Sequence, residues 1–292
     1  SPGGAARHAG CRPHSGFMNG ESLMDLKAQF EKQGYVIARR MFSGPEMAEF
    51  VEEIRNSDKE RPTGESLDAG TLRFYSNLFY SNPVIQRFIT QPTLIEFMAP
   101  VVGPNFWVRW DQAVAKGPNS GVFHWHQDNA YNGLRHEHYQ LWIALTEMTP
   151  ENGGLWLVPG SHRQRIRHER DGKHMRAVGS ERYDAPDAEK VFIEAEAGDV
   201  VLFSSLTLHK TYENTTDRTR WAYVAEYMRS EHYDPTVPRP YFNAARDGRP
   251  YPVFTYTLPG RARLAERAAT LPLAVRHYAE AALRRLGTLA RV

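Results

Sequence analysis

The part of the chain after Gly103 most limits the folds available to it. From there on, short runs rich in Val, Trp, Phe, Tyr and Leu alternate with Gly, Pro and Asn, which break regular structure. Many short strands separated by turn residues are typical of a β-sandwich or barrel. We predict strands over Phe106–Ala115, Tyr139–Thr146, Gly154–Val158, Val191–Ala195, Asp199–Phe203 and Arg220–Tyr227.

Helical patterns flank this β region. The sequence before it predicts an amphipathic helix that stops at Gly34, a short strand from Tyr35 to Ile37, and a second helix with Ser43 as its N-cap. A further helix is expected over Asn82–Phe97 and another over Leu264–Leu286. The fold class is therefore mainly β with flanking helices, arranged as a jelly-roll, cupin-like barrel.

The chain is expected to form one domain. Residues 1–17 combine Gly, Pro, Ser and Arg without periodicity, which predicts an unfolded tail. The remaining residues, 18–292, are expected to form a single unit with its β core at about 104–228 and a helical cap at about 260–290.

Charge and cysteine content narrow the classes of partner. The chain has 36 Lys and Arg against 34 Asp and Glu, so its net charge of +2 gives no basic field for nucleic acid. No apolar run approaches the roughly 20 residues that cross a bilayer. The single cysteine, Cys11, excludes a disulfide framework and a cysteine-based metal site. We expect a cytoplasmic protein with a small-molecule substrate, no nucleic-acid partner and no membrane span.

The segment Phe123-His124-Trp125-His126-Gln127-Asp128 contains the first candidate metal ligands. Residues two apart in a strand share a face, so His126 and Asp128 can chelate one ion. The pair is a weak signal alone, since the chain contains a second triplet of this kind, His232-Tyr233-Asp234. A third ligand for a non-heme iron site is usually another histidine from a different strand, and His209, at the end of a strand-like run, is the natural candidate.

Iron held by two histidines and a carboxylate keeps open positions, two of which a 2-oxo acid such as 2-oxoglutarate can fill. The distal carboxylate of that acid requires a cation, and the planar guanidinium of arginine suits it. Arg220 begins the strand that returns after His209, and Thr211, on the same strand face as His209, can add a hydroxyl donor.

These residues lie within a longer ordered set of motifs. The set comprises H-x-D at His126, W-x-A-L at Trp142, N-G-x-L at Asn152, P-G-S-H before Arg163, G-D at Gly198, and His209 followed eleven residues later by Arg220. This set resembles the phytanoyl-CoA dioxygenase family of iron(II)/2-oxoglutarate oxygenases. The similarity runs from about Leu26 to Tyr227 and includes the N-terminal segment FEKQGYVIARRMFSGPEM.

The resemblance implies a double-stranded β-helix and a specific set of roles. The family's iron ligands fall on His126, Asp128 and His209, and its 2-oxoglutarate arginine falls on Arg220. Thr211 and Trp142 take the places of the hydroxyl residue beside that arginine and of the aromatic wall, and Gln112 that of a polar cosubstrate contact. The implied reaction uses Fe(II), 2-oxoglutarate and O2, and releases succinate and CO2. A carboxylate at Asp128 favours oxidation of an unactivated C–H bond, most simply hydroxylation, over halogenation.

Polar and aromatic residues near these motifs are candidates for substrate contacts, because such groups orient polar or ring-bearing small molecules. They are Arg73, Tyr75, Trp107, His124, Asn129, Tyr131 and Asn132. For Trp107 the simpler interpretation is core packing.

Two other functions remain open from the sequence. In the first, a cupin-like site of three histidines, His124, His126 and His209, binds another metal without 2-oxoglutarate, and Arg220 is then superfluous. In the second, the protein is a non-catalytic barrel that binds a small molecule or partner. The complete set of candidate metal ligands argues against this function, because a non-catalytic protein has little chemical reason to keep all of them.

Overall fold

A computed structural model gives the structure of the protein, and it describes residues 23–57, 70–134, 136–172 and 174–269. The predicted tail at 1–17 and most of the predicted C-terminal cap lie outside these residues. The described chain contains an eight-stranded, a four-stranded and a two-stranded antiparallel sheet. This architecture confirms the prediction of a mainly β jelly-roll fold with flanking helices.

The large sheet carries the strands that the sequence predicts most clearly. In spatial order it contains β1 (Tyr35–Ala38), β10 (Val200–Ser204), β5 (Tyr139–Ala144), β12 (Arg220–Arg229), β3 (Phe106–Lys116), β13 (Tyr241–Arg246) and β14 (Arg249–Thr255), with β2 (Leu72–Ser76) paired to β3. The sheet thus includes strands on both sides of the core range that the sequence suggests.

The smaller sheets complete the barrel. The four-stranded sheet has the order β4 (Phe123–His126), β11 (His209–Thr211), β6 (Leu155–Leu157) and β9 (Val191–Phe192), and the hairpin consists of β7 (His168–Asp171) and β8 (His174–Ala177). Leu155 and Leu157 of β6 share an apolar cluster with Trp142 and Phe203 of the large sheet. This shared cluster joins the two sheets face to face, as in a β-sandwich.

Alternation along β12 separates two environments. Its residues Trp221, Tyr223 and Tyr227 belong to the main apolar core together with helical side chains. The residues between them face the other sheet, where Ala222 and Val224 join the cluster that contains Trp142. Because successive strand residues point to opposite faces, one face of β12 supports the fold and the other lines the barrel interior.

Helices pack around the sheets, and the first four of them contribute side chains to the main apolar core on the outer face of the large sheet. They are α1 (Leu23–Gln33), α2 (Gly44–Ser57), α3 (Pro83–Ile89), α4 (Pro92–Val102), the short α5 (Asn129–Asn132) and α6 (Gly260–Ala269). At the start of α2 the Ser43 backbone N–H donates to Glu46 Oε2 at 2.7 Å, which completes the capping box predicted from the sequence.

The prediction of one helix over Asn82–Phe97 is wrong, because the structure has two helices, α3 and α4, in this region. Gln91 between them adopts an extended conformation before Pro92, as the steric clash of a proline ring with the preceding residue requires. Asn82 caps α3 by accepting hydrogen bonds from the backbone N–H groups of Val84 and Ile85. None of the helices described is long and apolar enough to cross a membrane.

Candidate metal centre

The three candidate ligands come together where β4 ends and β11 begins. His126 is the last residue of β4, His209 is the first residue of β11, and the two are direct partners in the antiparallel register. Asp128 follows β4 after one residue and is the N-cap of α5. The carboxylate therefore reaches the histidines through a turn and not through strand alternation, although the sequence spacing is the one predicted.

The three side chains are close enough to bind one ion. One donor atom from each of His126, Asp128 and His209 lies within 4.8 Å of the others. His126 Nε2 is 3.5 Å from Asp128 Oδ1, and His209 Nε2 is 3.7 Å from Asp128 Oδ2. Ligands at right angles on an ion with bonds of about 2.1 Å lie about 3 Å apart, so a small contraction completes the geometry.

Hydrogen bonds fix both imidazoles in the tautomer that a metal requires. His126 Nδ1 is 2.7 Å from the backbone oxygen of His124, and His209 Nδ1 is 2.9 Å from that of Thr207. A carbonyl can only accept, so each Nδ1 carries the proton and each Nε2 lone pair faces the site.

The charge states also suit a metal site. Burial and the neighbouring His126 lower the pKa of His209 to about 4, so this imidazole is neutral at pH 7. Burial by itself raises the pKa of Asp128, but His209 and His126 outweigh it and hold the pKa of the carboxyl well below its usual range. The centre therefore offers a neutral imidazole at His209 and an ionised carboxylate at Asp128, beside the second imidazole of His126.

A β-bulge decides which aromatic residue stands beside the ligands. Thr211 pairs with Phe123 while His209 pairs with His126, so β4 contains one more residue than β11 over this stretch. Phe123 therefore faces the interior, with its ring 6.3 Å from that of His126. The alternation that predicted His124 on the face of His126 does not hold here, and His124 is outside the group of residues that can hold one metal.

Arg220 lies at the first position of β12 on the inner face and is only 3% exposed. Its Nη2 donates to the backbone oxygen of Gly153 at 2.8 Å, while its buried Nε has no hydrogen-bond partner among the described residues. Burial lowers the pKa of Arg220 to about 10, so the guanidinium stays charged. A buried cation with an unused donor fits the distal carboxylate of a 2-oxo acid.

Gly153 permits this arrangement. Its φ is +74°, and a Cβ at this position would lie 2.5 Å from the Tyr212 backbone oxygen and 2.9 Å from Lys116 Cε. The Asn-Gly-Gly motif is thus a turn that needs positive φ, and it also supplies a carbonyl that orients Arg220.

Lys116 is a second cation at this position, and the sequence interpretation missed it. It is fully buried at the end of β3, and its Nζ donates to Thr211 Oγ1 at 3.1 Å and to the backbone oxygen of Tyr212. Burial and the nearby Arg220 lower the pKa of Lys116 to about 7. Lys116 lies one residue beyond the predicted strand, and its four-residue spacing from Gln112, which places both on one face of an extended strand, was the signal that could have revealed it.

The predicted cosubstrate contacts Trp142 and Gln112 both lie on the inner face. Val224 of β12 is the direct partner of each, from β5 and from β3 respectively, and paired residues on adjacent strands share a face. Phe203 lies in the same interior, with its ring 5.0 Å from that of His209. It forms an aromatic wall that the motif comparison did not indicate.

Among the predicted substrate contacts, Tyr131 contacts a metal ligand through its ring. Its ring meets the ring of His126 edge-on at 5.6 Å, and its hydroxyl accepts from the backbone N–H of Met175 in β8 at 3.1 Å. Asn129 is buried, and its Nδ2 donates to the backbone oxygens of Leu134 and His136. Asn132 ends α5, and its side chain lies outside the described residues.

Arg73 and Tyr75 lie on the outer face of the large sheet, and Trp107 lies in a separate apolar cluster. Tyr75 is buried in the main core beside Trp221, at 5.6 Å between rings, and Arg73 shares its strand face by alternation. The intervening Phe74 instead faces the interior and meets Phe123 edge-on at 5.7 Å. Trp107 packs on Tyr241 in a separate apolar cluster, in agreement with simple core packing.

The second H-x-D triplet is not a metal site. His232 stacks on His136 with ring centroids 3.9 Å apart, and Asp234 forms a buried ion pair with Arg109. Within the described residues, the group His126, Asp128 and His209 is the one that meets the geometric requirement for an ion.

Comparison with known proteins points to one family. The model of the phytanoyl-CoA dioxygenase (PhyH) family matches residues 30–222 of the chain. Ectoine dioxygenase of Stutzerimonas stutzeri is 25% identical over 259 residues, which cover 78% of this chain and 86% of that protein. Peroxisomal phytanoyl-CoA dioxygenase of Rattus norvegicus is 25% identical over 233 residues, covering 71% of this chain and 69% of that protein.

A solved structure shows the same fold. EctD from S. alaskensis, with 2-oxoglutarate and 5-hydroxyectoine bound, aligns with a TM-score of 0.59 and 20% identity. The alignment covers 86% of this chain and 90% of that one. The likeness therefore extends over nearly the whole of both chains.

Proposed function

The chain belongs to the phytanoyl-CoA dioxygenase family and is a 2-oxoglutarate-dependent non-heme iron dioxygenase, and we propose that it hydroxylates an unactivated C–H bond of a small metabolite. The observation that carries the proposal is the pairing of the His126, Asp128 and His209 group with a buried Arg220 that has an unused donor. An ion held by the first three residues leaves room for a chelating 2-oxo acid, and Arg220 supplies the charge for its far end.

The residues present fit ferrous iron and 2-oxoglutarate. His126, Asp128 and His209 would hold the metal, and Arg220, Lys116 and Thr211 would hold the distal carboxylate. When bound, iron and 2-oxoglutarate react with O2 to supply the oxidant that inserts one oxygen atom into the substrate C–H bond, with the second oxygen atom entering succinate and CO2 being released.

Arg220 and Lys116 set the orientation of the keto acid. Both cations are buried, so their attraction for a carboxylate is screened little by water. Each is fixed by backbone oxygens, Gly153 for Arg220 and Tyr212 for Lys116. Fixed donors require little reordering when the cosubstrate binds, which favours one binding geometry over others.

Aromatic side chains limit the access of water to the reaction. Phe123 and Tyr131 both contact His126, and each also contacts strand β8, Phe123 through His174 at 4.8 Å and Tyr131 through Met175. The hairpin β7–β8 thereby covers the ligand side of β4. We propose that these two aromatic residues border the substrate, whose C–H bond must lie close to the metal.

A site of three histidines is not favoured. His126, Asp128 and His209 are the side chains whose ligand atoms converge, and buried Arg220 has a role only if an anion binds. A small molecule is the proposed partner, and cytoplasmic localisation stays a prediction from the sequence.

The proposal is tested by anaerobic titration of apo protein with ferrous iron and then 2-oxoglutarate. Chelation of a 2-oxo acid to ferrous iron gives a weak visible charge-transfer band, so we expect a band that saturates at one equivalent of iron. Zinc is the matched control, because its filled d shell gives no such band.

A well-folded, iron-loaded protein that shows no band on addition of 2-oxoglutarate would contradict the proposal. Once the band is established, succinate formation with and without candidate metabolites identifies the substrate. Incorporation of one atom of labelled O2 into the product then distinguishes hydroxylation from desaturation or ring closure.

A further inference from the structure

A buried charged cluster occupies the interior at the other end of β12. Glu226 lies on the inner face of this strand, and Arg109 donates to its carboxylate and to that of Asp234. All three residues are at most 8% exposed. Asp234 is satisfied further by Thr236, which donates from its backbone N–H at 2.8 Å and from its hydroxyl at 2.6 Å.

The charges in this cluster do not balance. Among the described residues, Arg109 is the only permanent cation paired with either carboxylate, so one positive charge faces two negative ones. Burial lowers the pKa of His138, whose Nε2 lies 3.5 Å from Glu226 Oε2, so this imidazole adds no positive charge at pH 7. A net negative charge in a low-dielectric interior is unfavourable unless a cation reaches it.

Polar atoms beside Glu226 also lack partners. Gln140 is 1% exposed and is the direct partner of Glu226 in the β5–β12 register, yet its Nε2 forms no hydrogen bond with described residues. His138 is fully buried, and neither ring nitrogen has a hydrogen bond, Nε2 lying 3.5 Å from Glu226 Oε2. Buried polar groups in folded proteins nearly always have partners, so these atoms indicate that a polar ligand completes the network.

This cluster adjoins the metal centre. Asn129, next to Asp128, donates from its backbone N–H to the Ser205 oxygen at 3.3 Å. Ser205 donates from its backbone N–H to the His138 oxygen at 2.9 Å, and its hydroxyl accepts from the His138 backbone N–H at 3.0 Å. On the other side, Gln140 is the direct partner of Phe203, whose ring contacts His209. A small molecule bound between His138, Gln140 and Glu226 therefore lies beside the ligands.

We propose that His138, Gln140 and Glu226 form a subsite that binds a cationic nitrogen group of the substrate, such as an ammonium or amidinium. Glu226 accepts hydrogen bonds from the cation, Arg109 and Asp234 hold Glu226 in place, and Gln140 and His138 contribute the remaining polar contacts. The subsite rests on the proposed function, because it assigns the substrate class of the same reaction centre. An anionic substrate group is disfavoured there by the carboxylates.

The test uses wild-type protein loaded anaerobically with ferrous iron and 2-oxoglutarate, and three probes of similar shape: benzylammonium, benzyl alcohol and benzoate. Binding is followed by calorimetry and by the change in the charge-transfer band. We expect benzylammonium to bind at millimolar concentration and at least about tenfold more tightly than benzyl alcohol, as a hydrogen bond to a charged group predicts. Benzoate is expected to bind most weakly.

Glu226→Gln should reduce the preference for benzylammonium over benzyl alcohol to within about threefold. Glu231→Gln, which removes the same charge from a side chain that is 62% exposed, is the matched control and should keep the preference. Glu226→Asp keeps the charge and should also keep it, so a conservative variant is available if Glu226→Gln does not fold.

Equal binding of the three probes, tighter binding of benzoate, or no binding of benzylammonium by wild-type protein would overturn the subsite. These outcomes differ from a failure of the proposed function, in which wild-type protein shows no charge-transfer band before any probe is added. A charge preference that persists in folded Glu226→Gln would likewise exclude Glu226 as its origin.

Discussion

The two ends of β12 bury opposite charges on the same face of the sheet. At the start of the strand Arg220 lies beside Lys116, and their direct contacts are neutral oxygens of Gly153, Thr211 and Tyr212. Towards the other end, Glu226 shares one guanidinium with Asp234. Within the part of the chain that the structure describes, Arg220 and Lys116 form no salt bridge, whereas Glu226 and Asp234 share a single arginine.

This difference indicates where ligands bind. An unbalanced buried charge is costly in an empty barrel and becomes favourable when a ligand of opposite sign arrives. The positive end suits the distal carboxylate of 2-oxoglutarate, and the negative end suits a cationic substrate group. The metal ligands connect the two, since Thr211 follows His209 on β11 and Asn129 follows Asp128.

The largest effect on activity is expected from removing a metal ligand, because the reaction at the metal depends on the ligands that bind at both ends of β12. His209→Ala deletes one of three ligands, and succinate formation should fall by at least about 100-fold, since even loss of an outer hydrogen bond to a ligand costs about 10–100-fold. His174→Ala removes a histidine of strand β8 and should keep stoichiometric iron. Metal analysis and succinate release check both variants, and full iron loading of His209→Ala would contradict the assignment.

The next largest effect tests whether Arg220, and not positive charge on the surface in general, binds 2-oxoglutarate. Arg220→Gln removes the charge-assisted bonds to the distal carboxylate, so the Kd for 2-oxoglutarate should rise by about 100-fold, at roughly 1.5–3 kcal/mol per charged hydrogen bond. Arg218→Gln, at an exposed position two residues earlier, should leave this Kd unchanged. Anaerobic titration of the charge-transfer band measures it. Similar Kd values for the two variants would exclude Arg220 as the carboxylate partner.

Lys116 should contribute a smaller, pH-dependent part of the same affinity. The pKa of Lys116 is lowered to about 7 in the free protein, so its positive charge is progressively lost as the pH rises above 7. The dianion then meets one cation instead of two, and the Kd for 2-oxoglutarate should increase from pH 7 to 9 in wild type.

Lys116→Met, of similar length and without charge, should bind 2-oxoglutarate about tenfold more weakly at pH 6 and show no such increase. The Kd for 2-oxoglutarate, measured for wild type and Lys116→Met at several pH values, checks this prediction. A wild-type Kd that is constant across this range would show that Lys116 keeps its proton.

Part of the fold and of the metal centre could be predicted from the sequence. Ordered motifs and strand texture were enough for the fold class and for the convergence of His126, Asp128 and His209, whereas the role of Arg220 as the carboxylate partner stays a prediction. The resemblance assigned Gln112 and Trp142 as cosubstrate contacts; both lie on the inner face, and their role stays a prediction. The confirmed predictions depend on the spacing of residues and the order of motifs, both of which can be read directly from the sequence.

The wrong predictions arise where tertiary structure changes which residues of a strand face the interior. The β-bulge in β4 exchanges Phe123 for His124, and the face of Tyr75 depends on how β2 pairs with β3, which no local signal fixes. The cluster around Glu226 joins Arg109, His138 and Asp234 from distant segments. Charges separated by so many residues give no recognisable spacing.

The smallest effect tests whether a buried carboxyl group can belong to the structural core instead of a ligand-binding site. Asp111 lies on the outer face of β3 and is fully buried, and its Oδ2 accepts from the Phe79 backbone at 3.2 Å and from the Tyr223 hydroxyl at 2.5 Å. Burial raises its pKa to about 7, although the hydrogen bonds from Tyr223 and Phe79 oppose the rise. This buried carboxyl group is thus partly neutralised by a proton at pH 7, whereas ligands of opposite charge are proposed for the two ends of β12.

The sign of the pH dependence follows from linkage. The folded state holds the Asp111 proton more tightly than the unfolded state, whose pKa is 3.8, so the stabilisation is complete below pH 4 and is lost as the pH rises to about 7. Asp111→Asn is neutral throughout, and its Tm relative to wild type should increase between pH 4 and 7 by a few degrees and then level off. Asp217→Asn, at an exposed position, should show no such trend. A Tm for Asp111→Asn that is lower than wild type by the same amount at every pH would mean that Asp111 is ionised in the fold, and the distinction between a neutralised buried carboxyl and the charged ends of β12 would then fail.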